Sequence, residues 1–298
     1  MSVAETVTLT ELKMEKNKEK TYVVITKRLL KNKLAVVGLI IIVLQIAMAI
    51  FAPYITFHDP VKQNLSLSEL PMLSADHWLG TDNYGRDVWS RIVYGARISL
   101  VIGFIAVALG LIGGITLGLL AGYYKKLDSI IMRIVDLLFA FPGILLAMLI
   151  IAILGTSLVN VAIAISIWSI PTCARIVRGS VLSIKEKEYI MAMKSLGASD
   201  VRIMLKHILP NAFAPIIVFA TMQMASAILS TAALSYLGLG AQPPTPEWGA
   251  MIAQGQALMW TSPHLTIVPG IAIMLTVFAF NVVGDGLRDA IDPNMLNK

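Results

Sequence analysis

Five stretches of this 298-residue chain contain no Lys, Arg, Asp or Glu: 34–58, 98–124, 137–174, 207–246 and 248–284. A helix rises 1.5 Å per residue and a bilayer's hydrocarbon core is about 30 Å thick, so roughly 20 apolar residues make one crossing. A charge at the midplane costs on the order of 2.5–3.5 kcal/mol, which makes charge-free runs a count of spans. With no water available to the backbone there, such runs fold as helices. The third run would be about 57 Å long as a single helix, and it divides at Gly155-Thr156-Ser157 into two spans. The fourth carries one span as far as Leu237, before Gly238-Leu239-Gly240 and Pro243-Pro244, and the fifth carries one after Pro263-His264. The expected fold class is therefore an all-α integral membrane protein with six transmembrane helices at 34–55, 98–122, 134–154, 157–176, 211–237 and 265–285. Composition agrees: 57% of residues are hydrophobic and 14% charged, and the mean hydropathy is +0.77.

Lys and Arg resist translocation, so their placement predicts orientation. They crowd the tail 1–33, the turn at Lys125, Lys126 and Arg133, and the loop 177–210, which lie on one side if there are six spans. The loop 238–264 has no Lys or Arg, and the loop 56–97 offsets Lys62, Arg86, Arg91 and Arg97 with Asp59, Glu69, Asp76, Asp82 and Asp87. Both termini, including the tail 286–298, are expected to be cytoplasmic, in a multi-pass protein of the cell (inner or cytoplasmic) membrane with lipid around it. Topology then accounts for the net charge of +6 without nucleic acid as a partner. The first apolar run begins late and is long enough to span, which argues against a cleaved signal peptide. The tail to about Thr21 is polar and charge-mixed, the composition of a disordered segment.

Between the apolar runs lies a basic, amphipathic segment, 185–211. Tyr189, Ala192, Met193 and Leu196 recur at helical offsets, and Val201, Met204, Leu205 and Ile208 repeat the pattern. Gly197 between them suits the left-handed residue that ends a helix, and Ser199 or Asp200 can cap the next one. Lys187, Lys194, Arg202 and Lys206 flank the stripes, and Leu209-Pro210-Asn211 opens the next apolar run. A helix–turn–helix outside the bilayer is predicted, either as a grip for a soluble partner or as an interfacial helix on anionic lipid.

Within the second span, Gly110, Gly114, Gly118 and Gly122 form a stripe along which another helix can approach closely, for static packing or as a moving interface. Pro142 and Pro171 are expected to bend the third and fourth spans. Asp136 follows Arg133 by three residues and is expected to pair with it. Gln45, Asn160, Gln223 and Asn281 can line a hydrophilic path or hydrogen-bond between helices. Trp248 and Trp260 in the outer loop are candidates for docking, gating or interfacial anchoring.

Several chemistries lack their residues. His58, His77, His207 and His264 show no ligand spacing, so no metal site is expected. The lone Cys173 excludes an intrachain disulfide. There is no phosphate-binding Gly-rich loop with Lys-Ser/Thr, no His-Glu-x-x-His, no Gly-x-Ser-x-Gly and no intramembrane carboxylate dyad beside Asp285. Neither a ring of charges nor a carbonyl filter is visible. An intramembrane enzyme and an ATP-independent channel are thus weaker readings than a passive conduit worked by another protein through 185–211, with no catalytic residue and no cofactor of its own.

The same segment resembles the Glu-Ala-Ala coupling motif of type I ABC importer permeases, with Ala192, Gly197, Leu209 and Pro210 on the pattern. Met191, Met193 and His207 depart from it, as in the peptide and nickel branch, where a Glu-Tyr pair, here Glu188-Tyr189, precedes the helix. His77-Trp78-Leu79-Gly80-Thr81-Asp82 with Gly85-Arg86-Asp87 and Gly95-Ala96-Arg97 is similar to the C-type permease of dipeptide and oligopeptide importers. So are Ser235–Gly240, Pro246-Glu247-Trp248-Gly249, and Asn281 to Asp289 followed by Asp292-Pro293. The resemblance implies a type I ABC importer permease fold, with a transmembrane domain over 95–289 and a cytoplasmic coupling helix. It further implies a homologous B-type permease partner, two ABC ATPase subunits that carry ATP and Mg, and an external solute-binding protein. Dipeptides or oligopeptides are the implied cargo, with nickel chelates, glutathione or another small solute as alternatives.

Overall fold

The computed structural model describes residues 23–74 and 76–291; the tail to Thr21 and the Asp292-Pro293 motif lie outside them. A helix over 23–31 (α1) leads to α2 (Lys33–Ile50), whose first amides are capped by the Asn32 side chain. The short α3 (Ala52–Ile55) opens an outer segment that runs to Asp87. Then come α4 (Val88–Tyr123), α5 (Lys125–Phe139), α6 (Gly143–Leu154) and α7 (Leu158–Lys185). An elbow follows, made of α8 (Glu188–Ser195), α9 (Asp200–Ile203) and a π-helical turn (Met204–Ile208). After it come α10 (Phe213–Tyr236), α11 (Trp248–Gly255) and α12 (His264–Ile291). Among the described residues extended structure amounts to two isolated bridges, Ser74 with His77 and Thr81 with Asp87.

Five helices, α2, α4, α7, α10 and α12, are each long and apolar enough to cross a bilayer. The expected third span, 134–154, is not one helix: α5 and α6 meet at 91°. The break falls at Phe141-Pro142, where proline cannot donate to the preceding turn and its neighbour is pushed out of helical geometry. By contrast α7 continues through Pro171 as one helix. The second and fourth expected spans are parts of longer helices, α4 starting at Val88 and α7 running to Lys185, so both project beyond the hydrocarbon.

Contacts between helices establish that the bent pair makes a crossing. Along α4, Gly110, Gly114, Gly118 and Gly122 face Ser169, Cys173, Val177 and Val181 of α7 in that order. Both helices therefore run the same way, and the chain between them must return across the membrane. A Cβ on Gly114 would sit 2.3 Å from Cys173 Cβ, so the stripe is what permits this separation. α5 climbs antiparallel to α7, its Ile131 and Val135 packed with Ala174. α6 continues the climb, Ala147 and Ile151 packing with Val161, Ala162 and Ile165. α12 returns antiparallel to α2, with Gly286 on Ala35 and Gly38 on Val282. Six crossings result, with α1 and the C-terminal end of α12 on the elbow's side.

Candidate functional site

The elbow is held by the C-terminal ends of the two parallel helices, α4 and α7. Val177, Val181 and Ile184 of α7 pack with Ile190, Ile203, Ile208, Ala212 and Ile216. One hydrogen bond ties the elbow itself to α4, the Tyr123 hydroxyl donating to Asp200 Oδ1 at 2.6 Å. The helices that hold it are tied to their neighbours, Lys185 Nζ of α7 donating to the Gly122 carbonyl of α4 at 2.7 Å and Arg178 of α7 forking onto Asp128 of α5 at 2.6 and 2.7 Å. A force applied to α8 therefore reaches α4 and α7 through packed and hydrogen-bonded groups.

Glu188 in the first turn of α8 and Lys194 in its last complement the helix dipole. The helix stops because Gly197 takes a left-handed φ of 79°, which lets the Ala198 amide donate to Met193 O at 3.1 Å and the Gly197 amide to Lys194 O at 3.1 Å. That pair of bonds is the Schellman arrangement, and a side chain at Gly197 would be strained by its φ alone, since the space around it is open. Ser199 stands at the cap position of α9 without a side-chain cap bond, and Asp200 is engaged by Tyr123 instead, so the expected cap is absent there.

The first stripe is largely exposed on this chain and the second is divided. Ile190 is the buried residue of α8, while Tyr189, Ala192 and Leu196 of the predicted stripe are exposed, Leu196 by 87%, and Met193 is half-buried. In the second stripe Met204 and Ile208 are buried with Ile203, whereas Val201 and Leu205 are exposed. The π turn at Met204–Ile208 inserts an offset that a 3.6-residue pattern does not anticipate. Leu209 is half-buried and Pro210 exposed in the short turn before α10, where Asn211 Nδ2 donates to the His207 carbonyl at 2.6 Å. Tyr189, Met191, Leu196, Val201 and Leu205 are thus exposed apolar side chains interspersed with exposed Lys187, Lys194, Arg202 and Lys206, and the described residues leave them uncovered.

At the opposite end the motif residues close on one another. Asp82 accepts from Arg86 Nε at 2.7 Å and lies 3.5 Å from Arg91 Nε. Gln254 Oε1 of α11 accepts from Arg86 at 2.8 Å and Arg91 at 3.3 Å, joining segments 168 residues apart. Trp248 is fully buried over Gly95, its indole donating to Ile92 O at 3.1 Å, which removes it as a docking, gating or anchoring residue. Trp260 is 96% exposed. Glu247 is buried at the start of α11, accepting from the Ala250 amide at 2.9 Å; burial pushes its carboxyl up from 4.5, and amide and hydroxyl donors oppose the shift.

Two further groups bear on chemistry. His58, His77 and Asp87 place ligand-type atoms within 4.8 Å of one another, a cluster the sequence did not suggest. Asp87, however, accepts from His77 at 2.9 Å with one oxygen and caps α4 through Ser90 with the other, and the two imidazoles stack at 4.5 Å. These groups fasten the outer segment to α4. Asn160 donates to the carbonyls of Leu154 and Gly155, closing the α6–α7 turn, while Gln223 and Asn281 are half-buried on α10 and α12. Gln45 donates to Thr276 at 2.7 Å between α2 and α12. Asp136 pairs with Arg175 across α5 and α7, not with Arg133. The two charges that bound the third apolar run thus meet, a pairing visible only once the run is known to fold back on itself.

Residues 114–297 match the family described as binding-protein-dependent transport system inner membrane component, and 23–71 match the N-terminal transmembrane domain of oligopeptide transport permease C. The dipeptide transport system permease protein DppC of Alkalihalophilus pseudofirmus is 54% identical over 90% of this chain and 88% of its own length. The glutathione transport system permease protein GsiD of Pectobacterium atrosepticum is 49% identical over 90% of each. In fold, the chain resembles a subunit in a structure described as inward facing conformations of the MetNI methionine ABC transporter, with a TM-score of 0.57 at 21% identity, covering 69% of this chain and 98% of that one. The six-crossing bundle, the elbow and the interlocked outer motifs are those of a C-type permease, and the chain belongs to the dipeptide/oligopeptide/nickel family of ABC importer permeases.

Proposed function

We propose that this chain is half of the transmembrane path of an ATP-driven importer of dipeptides or oligopeptides, and that α8 is the handle by which a separate ATPase moves it. The observation that carries the reading is the set of exposed apolar side chains on an elbow hydrogen-bonded to α4 through Tyr123 and packed on α7. These side chains with their basic neighbours suit a groove on a soluble protein, and the elbow's attachments suit rigid-body transmission. The names of the similar permeases support a peptide cargo, glutathione being itself a small peptide. The elbow then lies in the cytoplasm, as do both termini. The remaining partners are a homologous B-type permease, a second ATPase and an external binding protein; ATP and Mg reside on the ATPases, and this chain performs no catalysis.

A photoactivatable crosslinker at Ala192 tests this in the assembled complex. It should capture an ATPase subunit, and capture of lipid alone would refute the reading. Gly197→Pro or Ala192→Glu should abolish ATP-coupled uptake while leaving membrane insertion intact, measured as labelled dipeptide accumulated in proteoliposomes beside ATP hydrolysis. Normal uptake by a well-inserted Gly197→Pro variant would count equally against it.

A further inference from the structure

The Asp136–Arg175 pair lies where charge is costly. Arg175 sits between the α4–α7 contacts at Cys173 and Val177, level with about residue 116 of α4. Tyr123, Tyr124, Lys125 and Lys126 mark the membrane surface, so the pair is roughly 10 Å inside it. Yet both side chains are open, Arg175 by 49% and Asp136 by 62%. A snorkelling arginine would turn toward the surface. Here the guanidinium instead stacks 4.1 Å over the ring of Phe139, which is farther along α5 from the surface than Asp136. Thr172 and Gly179 of α7 and Arg133 of α5 are exposed on the same side, and the α5–α6 break lies just beyond Phe139. Half-exposed charges at this depth do not face hydrocarbon; they face water or another protein.

We propose that the α5/α7 face bearing Asp136, Phe139, Thr172 and Arg175 is a wall of the aqueous path, and that the ion pair takes over the charged ends of a zwitterionic peptide-like solute. Arg175 receives the α-carboxylate and Asp136 the α-ammonium, each exchanging its neighbour for the solute. This rests on the importer reading above and assigns the path to residues other than Asn160, Gln223 and Asn281. An opposite-charge pair suits transit because closing on itself releases the cargo.

The test uses the complete importer in proteoliposomes with the elbow side outward. A free dipeptide and its N-acetylated, C-amidated form are added there, where no binding protein selects between them. The Thr172→Cys variant leaves the pair intact, and the native Cys173 is buried, so the unmodified importer is the blank. A charged, membrane-impermeant methanethiosulfonate should label the variant. The free dipeptide should slow labelling about tenfold, as one charge-assisted contact would, and the blocked form should not. Labelling only by a lipid-soluble maleimide, or by neither reagent, overturns the path assignment. Equal protection by both peptides, or protection by neither, overturns the assignment of the pair to peptide ends. ATP-driven uptake by vesicles of the unmodified importer is read in parallel. Its absence counts against the importer reading, whereas uptake without the labelling pattern counts against this inference alone.

Discussion

The two ends of the bundle treat their charged groups in opposite ways. At the outer end, Asp82, Arg86, Arg91, Glu247 and Trp248 are buried and bonded to one another or to backbone from distant segments. At the elbow, charges are solvated and large apolar side chains such as Leu196 and Leu205 stand exposed. Buried charges demand partners within the chain, and exposed apolar patches invite partners outside it. The outer end closes its charged network within the chain, although Trp260 and Leu73 stand exposed there too, and the elbow's exposed apolar side chains are the ones the proposed ATPase contact would cover.

The most damaging break in that contrast is Asp82→Ala. Arg86 and Arg91 would lose the carboxylate between them while remaining fully buried. Stripping one partner from a buried ion pair costs about 3–5 kcal/mol, because an uncompensated charge is left behind. Thermal unfolding of the purified complex should show a large loss, far beyond that of any single substitution on the exposed faces of α8. A stability within experimental error of the parent would mean that the outer network is ornamental and the contrast false.

The sequence reveals these two ends unequally. Spans, the glycine stripe and the elbow rest on local periodicity, and the glycines do face α7 in register. The interlocking of Arg86 with Gln254, or Gly95 with Trp248, joins residues more than 150 positions apart and leaves no local trace beyond motif resemblance. Local reasoning also failed where geometry shifts phase. The π turn at Met204–Ile208 redistributed the second stripe, and the 91° break turned Asp136 toward Arg175 across the fold. On α8 the stripe is largely exposed on this chain, as a face offered to a partner or to lipid must be, while Ile190, outside the stripe, packs against α7; periodicity identifies a stripe and not the residue that anchors the helix.

A smaller effect separates the ends by pH. The folded state holds Glu247's proton more tightly than the unfolded chain, since burial raises its carboxyl above 4.5. That contribution to stability is complete below the ordinary value and is lost as pH rises through the raised one. Glu247→Gln keeps an acceptor for the Ala250 amide without a titrating group. The stability difference between parent and variant should therefore shift steadily against the parent with rising pH in that window. A constant difference would show that Glu247 titrates as freely as an exposed carboxylate.

Leu196→Ala should change the stability of this chain least. Leu196 is 87% exposed, and surface substitutions away from caps and cores fall within about 0.5 kcal/mol. Ala is also the better helix former, and the Schellman bonds at Gly197 use backbone atoms that the substitution leaves in place. If the elbow is half an interface, the missing side chain reappears as lost contact with the ATPase. Burying a leucine contributes about 1.5–3 kcal/mol, so association should weaken by roughly tenfold or more. Unfolding and ATPase titration measured on one preparation give the decisive pair of values: an unmoved unfolding temperature with weakened association fits an open interface. Loss of stability with unchanged association would instead make Leu196 part of this chain's own packing and place the handle on another face.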